Sequence, residues 1–371
     1  MTGSQVRLSE LHGGEVEWAV SERFNIPITE IISFASTVSP IIPESLGSLS
    51  RKFSQFHLYP SRDHSKLKQA IGRHHGLRKN DAMILGCGST ELIHLFAQVA
   101  CNGEAIIPIP TYGEYETAVR RYGGKAVFVT ATEELGIDIE GIERAISAKT
   151  KAIFLCNPNN PTGRLYPKSE LEQLASVAKE NSIILVVDEA YMSFAPESKI
   201  YSMGSLVDSY PVLVLGSLSK LFGIPSLRLG WGVGSHSLVN RLESWKIPWT
   251  ISNLAIWAAE ELLPDVAYQS RIKNLIASQR IALTERLGRI PWLKLTPTDC
   301  NFILVKILEN RLTSTDIFEQ LVKKGLVIRD CSSIRGLGDE FFRVTIRTPT
   351  DNEKLVSALA EIAVPTILPQ R

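Results

Sequence analysis

The sequence predicts an α/β protein: a mostly parallel, doubly wound sheet in a large domain, followed by a smaller α+β C-terminal domain. Three observations carry that expectation. Between about residues 64 and 235, short β-rich runs alternate with helical stretches of amphipathic spacing. Several of those runs end in loops rich in Gly, Pro, Asn or Ser, the edge at which open α/β sheets bind ligands. After about residue 265 the alternation gives way to a long helical stretch and then three strand-like runs.

In chain order the first set of runs is AMILG (82–86), EAIIPI (104–109), KAVFVT (125–130), KAIFLC (151–156), SIILVVDEAY (182–191) and VLVLG (212–216). Their continuous apolar character suits strands covered on both faces. ELEQLASVAKE (170–180) has the spacing of a surface helix between two of them. The later runs are NFILVKI (301–307), GLVIRD (325–330) and FFRVTIRT (341–348), before a last amphipathic helix DNEKLVSALAEIA. Residues 1–48 are expected to form an arm packing with the small domain, 49–264 the large domain and 265–371 the small one. No internal repeat or low-complexity linker divides them.

Composition narrows the function classes. Forty basic against thirty-nine acidic residues leave a formal charge of +1, which gives no reason to expect nucleic acid or an acidic membrane surface as partner. The five cysteines are scattered, with no CxxC spacing, so neither a disulfide framework nor a metal site is expected. The opening residues hold acidic groups and no signal-like apolar core, and no segment stays apolar for a membrane span, so a cytoplasmic protein is expected.

Five loops at the ends of the proposed strands make sense around a single ligand. Gly86-Cys87-Gly88-Ser89-Thr90-Glu91 opens a helical run, where glycines, free N–H groups and hydroxyls suit a phosphate, although Ser-Thr-Glu is also ordinary helix capping. Tyr112, in PTYGEYE, offers an aromatic face. CNPNNPTG (156–163) sets Asn160 in a stretch rigid enough for geometry to matter. Asp188 closes an apolar strand, and a buried carboxylate needs a partner such as a protonated ring nitrogen. GSLSKLFGIPSLRLG (216–230) carries Lys220 between serines with Arg228 eight positions on; a solvated turn lysine is the plain alternative. Together these groups describe a pyridoxal 5′-phosphate (PLP) site with Lys220 as the Schiff-base residue.

The order of these motifs resembles the fold-type I aminotransferase superfamily from about residue 50 to the C-terminus. By that resemblance Lys220 carries the cofactor and shuttles protons, and Asp188 pairs with the pyridine nitrogen. Asn160 and Tyr191 contact the phenolic oxygen, and Tyr112 stacks on the ring. Gly88, Ser89, Thr90, Ser217, Ser219 and Arg228 form the phosphate cup. Tyr59 of YPSRD reaches in from a second subunit, which implies a homodimer with composite sites. Arg343 clamps an α-carboxylate.

The likeness is closest to threonine-phosphate decarboxylases, through Leu11-His12-Gly13-Gly14, IPWTISNLAIWAAEE (247–261), VIRDCSS (327–333) and FFRVTIRT. Histidinol-phosphate aminotransferases are a more distant resemblance. Where the decarboxylase pattern reads HGGN this chain has Glu15, and where it reads DFSANINP the chain has Ser33-Phe34-Ala35-Ser36-Thr37-Val38-Ser39-Pro40, so both asparagines are gone. Ser333 also stands where that family has asparagine. These departures favour a neutral or cationic substrate side chain contacted by His12, Glu15, Thr37 and Asn160. A member redirected to specialised metabolism is expected, similar to the enduracididine-forming cyclases. It would remove a Cα proton from a γ-hydroxylated arginine, expel the hydroxyl with His12 as acid, and close a cyclic guanidine. Threonine-phosphate decarboxylation and amino transfer are the alternatives; a PLP-binding regulator is the non-enzyme one, for which no basic DNA-binding segment precedes residue 50.

Overall fold

The computed structural model describes residues 10–11, 14–62, 64–77 and 82–362 of the chain. In chain order its strands are β1 (Ile32–Ser33), β2 (Ala82–Gly86), β3 (Glu104–Ile109), β4 (Lys125–Thr130), β5 (Thr150–Cys156), β6 (Ile184–Asp188) and β7 (Val212–Ser217). They continue as β8 (Gly230–Gly234), β9 (Leu293–Leu295), β10 (Phe302–Ile307), β11 (Leu326–Val327), β12 (Arg329–Asp330) and β13 (Phe341–Thr345). The α-helices are α1 (Glu15–Phe24), α2 (Ser65–His75), α3 (Gly88–Ala100), α4 (Glu114–Arg121), α5 (Ile139–Ala145) and α6 (Lys168–Glu180). After them come α7 (Ser198–Tyr201), α8 (His236–Trp245), α9 (Asn253–Leu262), α10 (Val266–Leu287), α11 (Ser314–Val322) and α12 (Pro349–Ala360).

Seven strands form the large sheet in the order β2-β8-β7-β6-β5-β3-β4. The pairs from β7 through β6, β5 and β3 to β4 are parallel, and β8 runs antiparallel to both of its neighbours. Both faces are covered, as the continuous apolar runs imply. In β6, Leu185 and Val187 enter one buried cluster and Val186 the other, and all three are fully buried. The parallel strands β5, β6 and β7 thus end on one edge, bringing Cys156, Asp188 and Ser217 to the same side of the molecule.

Two elements depart from the sequence-based expectation. The run 182–191 is a strand only as far as Asp188, because the Asp188 Oδ1 atom accepts the Ala190 N–H at 3.1 Å and turns the chain away. Strand β8, GWGVG, carried no strand signal, since glycine is depleted in strands. Contact explains its composition: a Cβ on Gly230 would lie 2.3 Å from the Ser89 nitrogen, and one on Gly216 of β7, paired with Trp231 across the ladder, 2.3 Å from the Trp231 ring. Glycine there lets the start of α3 lie directly against the sheet.

The remaining strands make a four-stranded antiparallel sheet, β12-β13-β10-β9. GLVIRD is split between two sheets, with β11 pairing parallel to β1 of the N-terminal arm and β12 joining β13. Phe34 extends the link: its N–H donates to Val327 O at 2.6 Å, and its carbonyl accepts the Thr345 N–H at 2.8 Å. The arm is thereby laid across the edge where the large sheet's strands end. Among the described residues no helix is long and apolar enough to cross a membrane, and no group of His, Cys, Asp or Glu is arranged to hold a metal ion.

Candidate active site

Asp188, at the end of β6, is buried, which raises its pKa; the Ala190 N–H, the Tyr115 hydroxyl and the Lys220 charge act in the opposite direction. Tyr115 donates to Asp188 Oδ2 at 3.0 Å from the first turn of α4. Sequence reasoning passed over Tyr115, which stands three positions after Tyr112, just inside the helix that the Tyr112 loop leads into. The two rings meet edge to face, 5.6 Å between centroids.

Lys220 lies in the turn after β7, its Nζ 5.6 Å from the centroid of the Tyr191 ring. Burial lowers its pKa to about 8, and the charges of Arg343 and Arg228 push the same way. Unlike a solvated turn lysine, an amine so placed is in part uncharged near neutral pH.

A hydrogen-bonded chain links four of the sequence-predicted residues. Thr37 Oγ1 lies 2.8 Å from the Tyr191 hydroxyl, and Asn160 Nδ2 donates to that hydroxyl at 3.4 Å. Asn160 Oδ1 in turn accepts from Arg343 Nη1. Its loop is tied to the Tyr112 loop through Asn159, which accepts from Thr111 Oγ1 at 2.9 Å and donates to Pro110 O at 2.9 Å. Thr37 therefore comes from the N-terminal arm into the middle of the cluster, buried and committed to Tyr191.

The phosphate-suited loop has the form of a cup. Gly88 adopts φ +77°, and a Cβ there would lie 2.5 Å from Arg228 Nη2, so the guanidinium rests directly over the glycine. Arg228 itself sits in the left-handed region at φ 55°, an unfavourable backbone for a non-glycine residue that places its side chain at the helix start. Ser217 Oγ accepts the Ser219 N–H at 3.2 Å, while Ser219 Oγ is buried without a hydrogen-bond partner. The first N–H groups of α3 lack intrahelical acceptors, as at any helix N-terminus. The capping role considered for this loop falls to Glu91, whose carboxylate takes the Cys87 N–H. A guanidinium, an orphaned buried hydroxyl and a helix N-terminus around a glycine are a donor set for a phosphate.

At the other end of the cluster lie two arginines. Arg343 in β13 and Arg329 in β12 are directly paired across the antiparallel ladder, and both are buried. Arg343 Nη2 donates to Ala35 O at 2.8 Å, its guanidinium carbon stands 5.1 Å from the centroid of the Phe302 ring, and its Nε is buried with no partner among the described residues. Arg329 donates to the carbonyl of Leu11 and, at 3.5 Å, to Ser333 Oγ. Burial lowers the Arg329 pKa, and Arg343 adds like-charge repulsion. Among the described residues neither guanidinium has a carboxylate partner. Asp330 does not serve: it points to the other side of the strand and accepts from Ser314 Oγ at 2.6 Å and Thr315 Oγ1 at 2.7 Å. Arg329 was missed in sequence because VIRDCSS was read as a family marker; its signal, an arginine directly after the apolar run Leu326–Ile328, was present. A cleft of about 580 Å³ is lined by Tyr112, Glu116, Arg335 and Ser333, the hydroxyl to which Arg329 donates, among others.

Three expected site residues are not part of this cluster as described. His12 lies outside the described residues. Glu15 is exposed in the first turn of α1, where its charge complements the helix N-terminus. Tyr59 is 83% exposed.

The model for aminotransferase class I and II matches residues 38–359. The chain belongs to that family. It is 33% identical over 345 residues to the histidinol-phosphate aminotransferase of Methanosarcina mazei, with 91% of this chain and 90% of that protein covered. The crystal structure of L-threonine-O-3-phosphate decarboxylase from Porphyromonas gingivalis superposes with a TM-score of 0.78 at 26% identity, covering 89% of this chain and 98% of the other. Histidinol-phosphate aminotransferase from Sinorhizobium meliloti, solved in complex with pyridoxal-5′-phosphate, shares the fold at TM-score 0.84 and 21% identity, covering 97% and 98%. The protein is accordingly a PLP-dependent enzyme of fold type I, and the non-enzyme alternative is set aside. The residues fit the cofactor: a buried carboxylate with no salt-bridge partner among the described residues suits a cationic ring nitrogen, and the Gly88–Arg228 cup together with the Ser219 hydroxyl, buried and unpaired among the described residues, suits its phosphate.

Proposed function

We propose that the enzyme acts at Cα of an α-amino acid bearing a second anionic group, a phosphate monoester such as threonine phosphate being the simplest case. The observation that carries this reading is the pair of buried, cross-strand guanidiniums, Arg343 and Arg329, with no carboxylate on either among the described residues. Buried charge requires compensation, and two adjacent cations are best compensated by two anions brought by the substrate. Arg343 takes the α-carboxylate and Arg329 the distal anion, with Ser333 as a neighbouring donor. The cyclisation of γ-hydroxyarginine loses support on the same ground, since a guanidino side chain would bring a third cation toward two. Glu15, which motivated it, stands exposed on α1.

Bound PLP supplies a carbonyl carbon that captures the substrate amine and a cationic ring that accepts the electron pair released at Cα. In this reading Asp188 holds the proton on the ring nitrogen, and Tyr115 holds Asp188. Tyr191, Asn160 and Thr37 orient the phenolic oxygen, Tyr112 covers the ring face, and the loops at Gly88–Thr90 and Ser217–Arg228 bind the phosphate. Lys220 carries the cofactor and then moves the proton at Cα, a task suited to an amine whose pKa burial has lowered to about 8.

The working unit in this reading is a homodimer. Phe53 and Phe56 stack at 5.0 Å, Phe56 and Trp257 at 6.0 Å, and Tyr59 leans on Trp249 at 5.7 Å. Phe53, Phe56, Leu58, Tyr59 and Trp249 are all at least half exposed or nearly so in one chain, an aromatic strip of the kind that subunit contacts cover. A second copy there brings Tyr59 to its neighbour's cofactor phosphate.

The test is a substrate panel given to the PLP-loaded enzyme in D₂O: O-phosphothreonine, glutamate, histidinol phosphate and γ-hydroxyarginine, followed by mass spectrometry for Cα deuterium, CO₂ loss and water loss. Amino acids with two anions should react fastest. Water loss from γ-hydroxyarginine, with the doubly anionic compounds inert, would overturn the reading and restore the cyclase.

A further inference from the structure

Three stretches distant in sequence meet behind Lys220. The first is the arm at residues 39–41, the second the turn 220–223, and the third the start of α10, where Asp265 caps the helix by accepting the Tyr268 N–H at 3.0 Å. The Tyr268 hydroxyl lies 2.7 Å from Ile41 O, 3.1 Å from Ser39 Oγ and 3.3 Å from Leu221 O. Its ring stacks on Phe222, 6.1 Å between centroids at an interplanar angle of 19°. Ser39 then donates its backbone N–H to the carbonyl of Lys220 itself at 2.8 Å. The approach is close: Gly223 has φ +64°, and a Cβ on it would lie 3.1 Å from Ser39 O and 3.2 Å from Ile41 O.

One phenolic proton faces several acceptors. The shortest path goes to Ile41 O, and Ser39 Oγ, which also lies 3.2 Å from Ile41 O, completes a small ring of polar groups in an otherwise apolar region. Burial raises the phenol's pKa, so it remains a donor throughout the neutral range. A buried tyrosine needs only one partner, yet this one sits where the arm, the lysine turn and the first small-domain helix converge. The polar groups that could answer a change in its hydroxyl are those of all three segments.

We propose that Tyr268 is a positioning residue for Lys220: its hydroxyl fixes the arm at 39–41, the arm's Ser39 N–H fixes the Lys220 carbonyl, and the lysine amine is thereby aimed toward Tyr191 and Asp188. The effect runs through backbone, so Tyr268 touches neither substrate nor cofactor. The inference rests on Lys220 being the residue that carries PLP.

Tyr268→Phe keeps the ring and its stacking and removes only the hydroxyl. Borohydride reduction and peptide mapping of the wild-type holoenzyme come first; a label on any other lysine removes the reading of Lys220 itself. With the label on Lys220, two quantities report the amine's placement: the pH midpoint of the bound cofactor's visible absorbance, and the rate at which hydroxylamine releases the cofactor. In Tyr268→Phe the midpoint should move by about half a pH unit or more, or the release rate change by about threefold or more. The kcat should fall by about fivefold or more, with KM within about twofold. Ser39→Ala, which keeps the N–H bond to Lys220, should shift the same readouts by less and serves if the first variant does not fold. Leu355→Ala, in the buried face of α12, should lower the melting temperature without moving either readout. If both readouts in Tyr268→Phe and Ser39→Ala match wild type, or Leu355→Ala moves them equally, the proposal is overturned.

Discussion

Replacing Arg329 by methionine separates substrate recognition from stability, because the residue is a buried cation held by neutral groups alone. Arg329 is 5% exposed, and its donors go to the Leu11 carbonyl and the Ser333 hydroxyl. Truncating one member of a buried charge pair costs about 2–5 kcal/mol, much of it from leaving the other charge unpaired. At about 1.4 kcal/mol per decade, kcat/KM for O-phosphothreonine should drop by about 30-fold to a few thousandfold. The same ratio for threonine, which lacks the distal anion, should change by less than about threefold. The fold should not suffer in proportion: removing a buried guanidinium that lies across from another, Arg343, relieves like-charge repulsion and desolvation. The melting temperature of the cofactor-free variant should therefore match or exceed that of wild type. Steady-state kinetics on the two substrates and a calorimetric melt give all three quantities. An equal loss on both substrates would refute the assignment of Arg329 to the distal anion, and a sharp loss of stability would show that its role is structural.

Tyr115→Phe removes one of two hydrogen bonds to the Asp188 carboxylate; with hydrogen bonds to charged groups worth about 1.5–3 kcal/mol, PLP affinity should weaken by about 10- to 150-fold in equilibrium dialysis. Lys220 titrates at about 8 in the folded chain against an ordinary value of 10.5, so between those pH values the unfolded chain binds more protons and stability rises with pH. The melting temperature of cofactor-free wild type should accordingly climb from pH 8 toward pH 10 relative to that of Lys220→Met, and parallel profiles would contradict the lowered pKa. Phe56→Glu places a charge in the exposed aromatic strip; if the proposed homodimer forms there, wild type should sediment as a dimer and the variant as a monomer with weaker PLP binding, whereas an unchanged dimer would place the interface elsewhere.

The parts of the site that were legible in the sequence are those whose chemistry leaves a local signature. Lys220, Asp188, Asn160 and Gly88 each interrupt a strand–loop junction with a residue type that is costly unless it is used, and the parallel sheet brings such junctions to one edge. What escaped was set by contact across the fold. Strand β8 is invisible to pattern because its glycines answer to the start of α3 and to side chains of neighbouring elements, Gly230 to Gly88 and Ser89 and Gly232 to Leu215, Ile84 and Leu92, none of which is local to them. Tyr115 resembles any core aromatic until its hydroxyl is found 3.0 Å from Asp188.

The substrate reading turned on the same distinction. Sequence comparison drew attention to Glu15 and to the lost asparagines at Thr37 and Ser39, and from those a cationic side chain followed. In the fold Thr37 is engaged with Tyr191 and Ser39 with the Lys220 backbone, so in the proposed reading both support the lysine and its neighbour rather than contact a substrate phosphate. In the proposed reading a phosphate's counter-charge comes instead from Arg329, whose pairing with Arg343 is a matter of strand register, fixed once β12 and β13 are aligned. Shifting that register by one residue would turn Arg329 toward α11 and Asp330 toward the site, replacing a cation by an anion opposite Arg343. The hydrogen bonds that Asp330 accepts from the Ser314 and Thr315 hydroxyls in the first turn of α11 oppose such a shift, so in the proposed reading the charge of the substrate pocket is secured on the far face of the sheet.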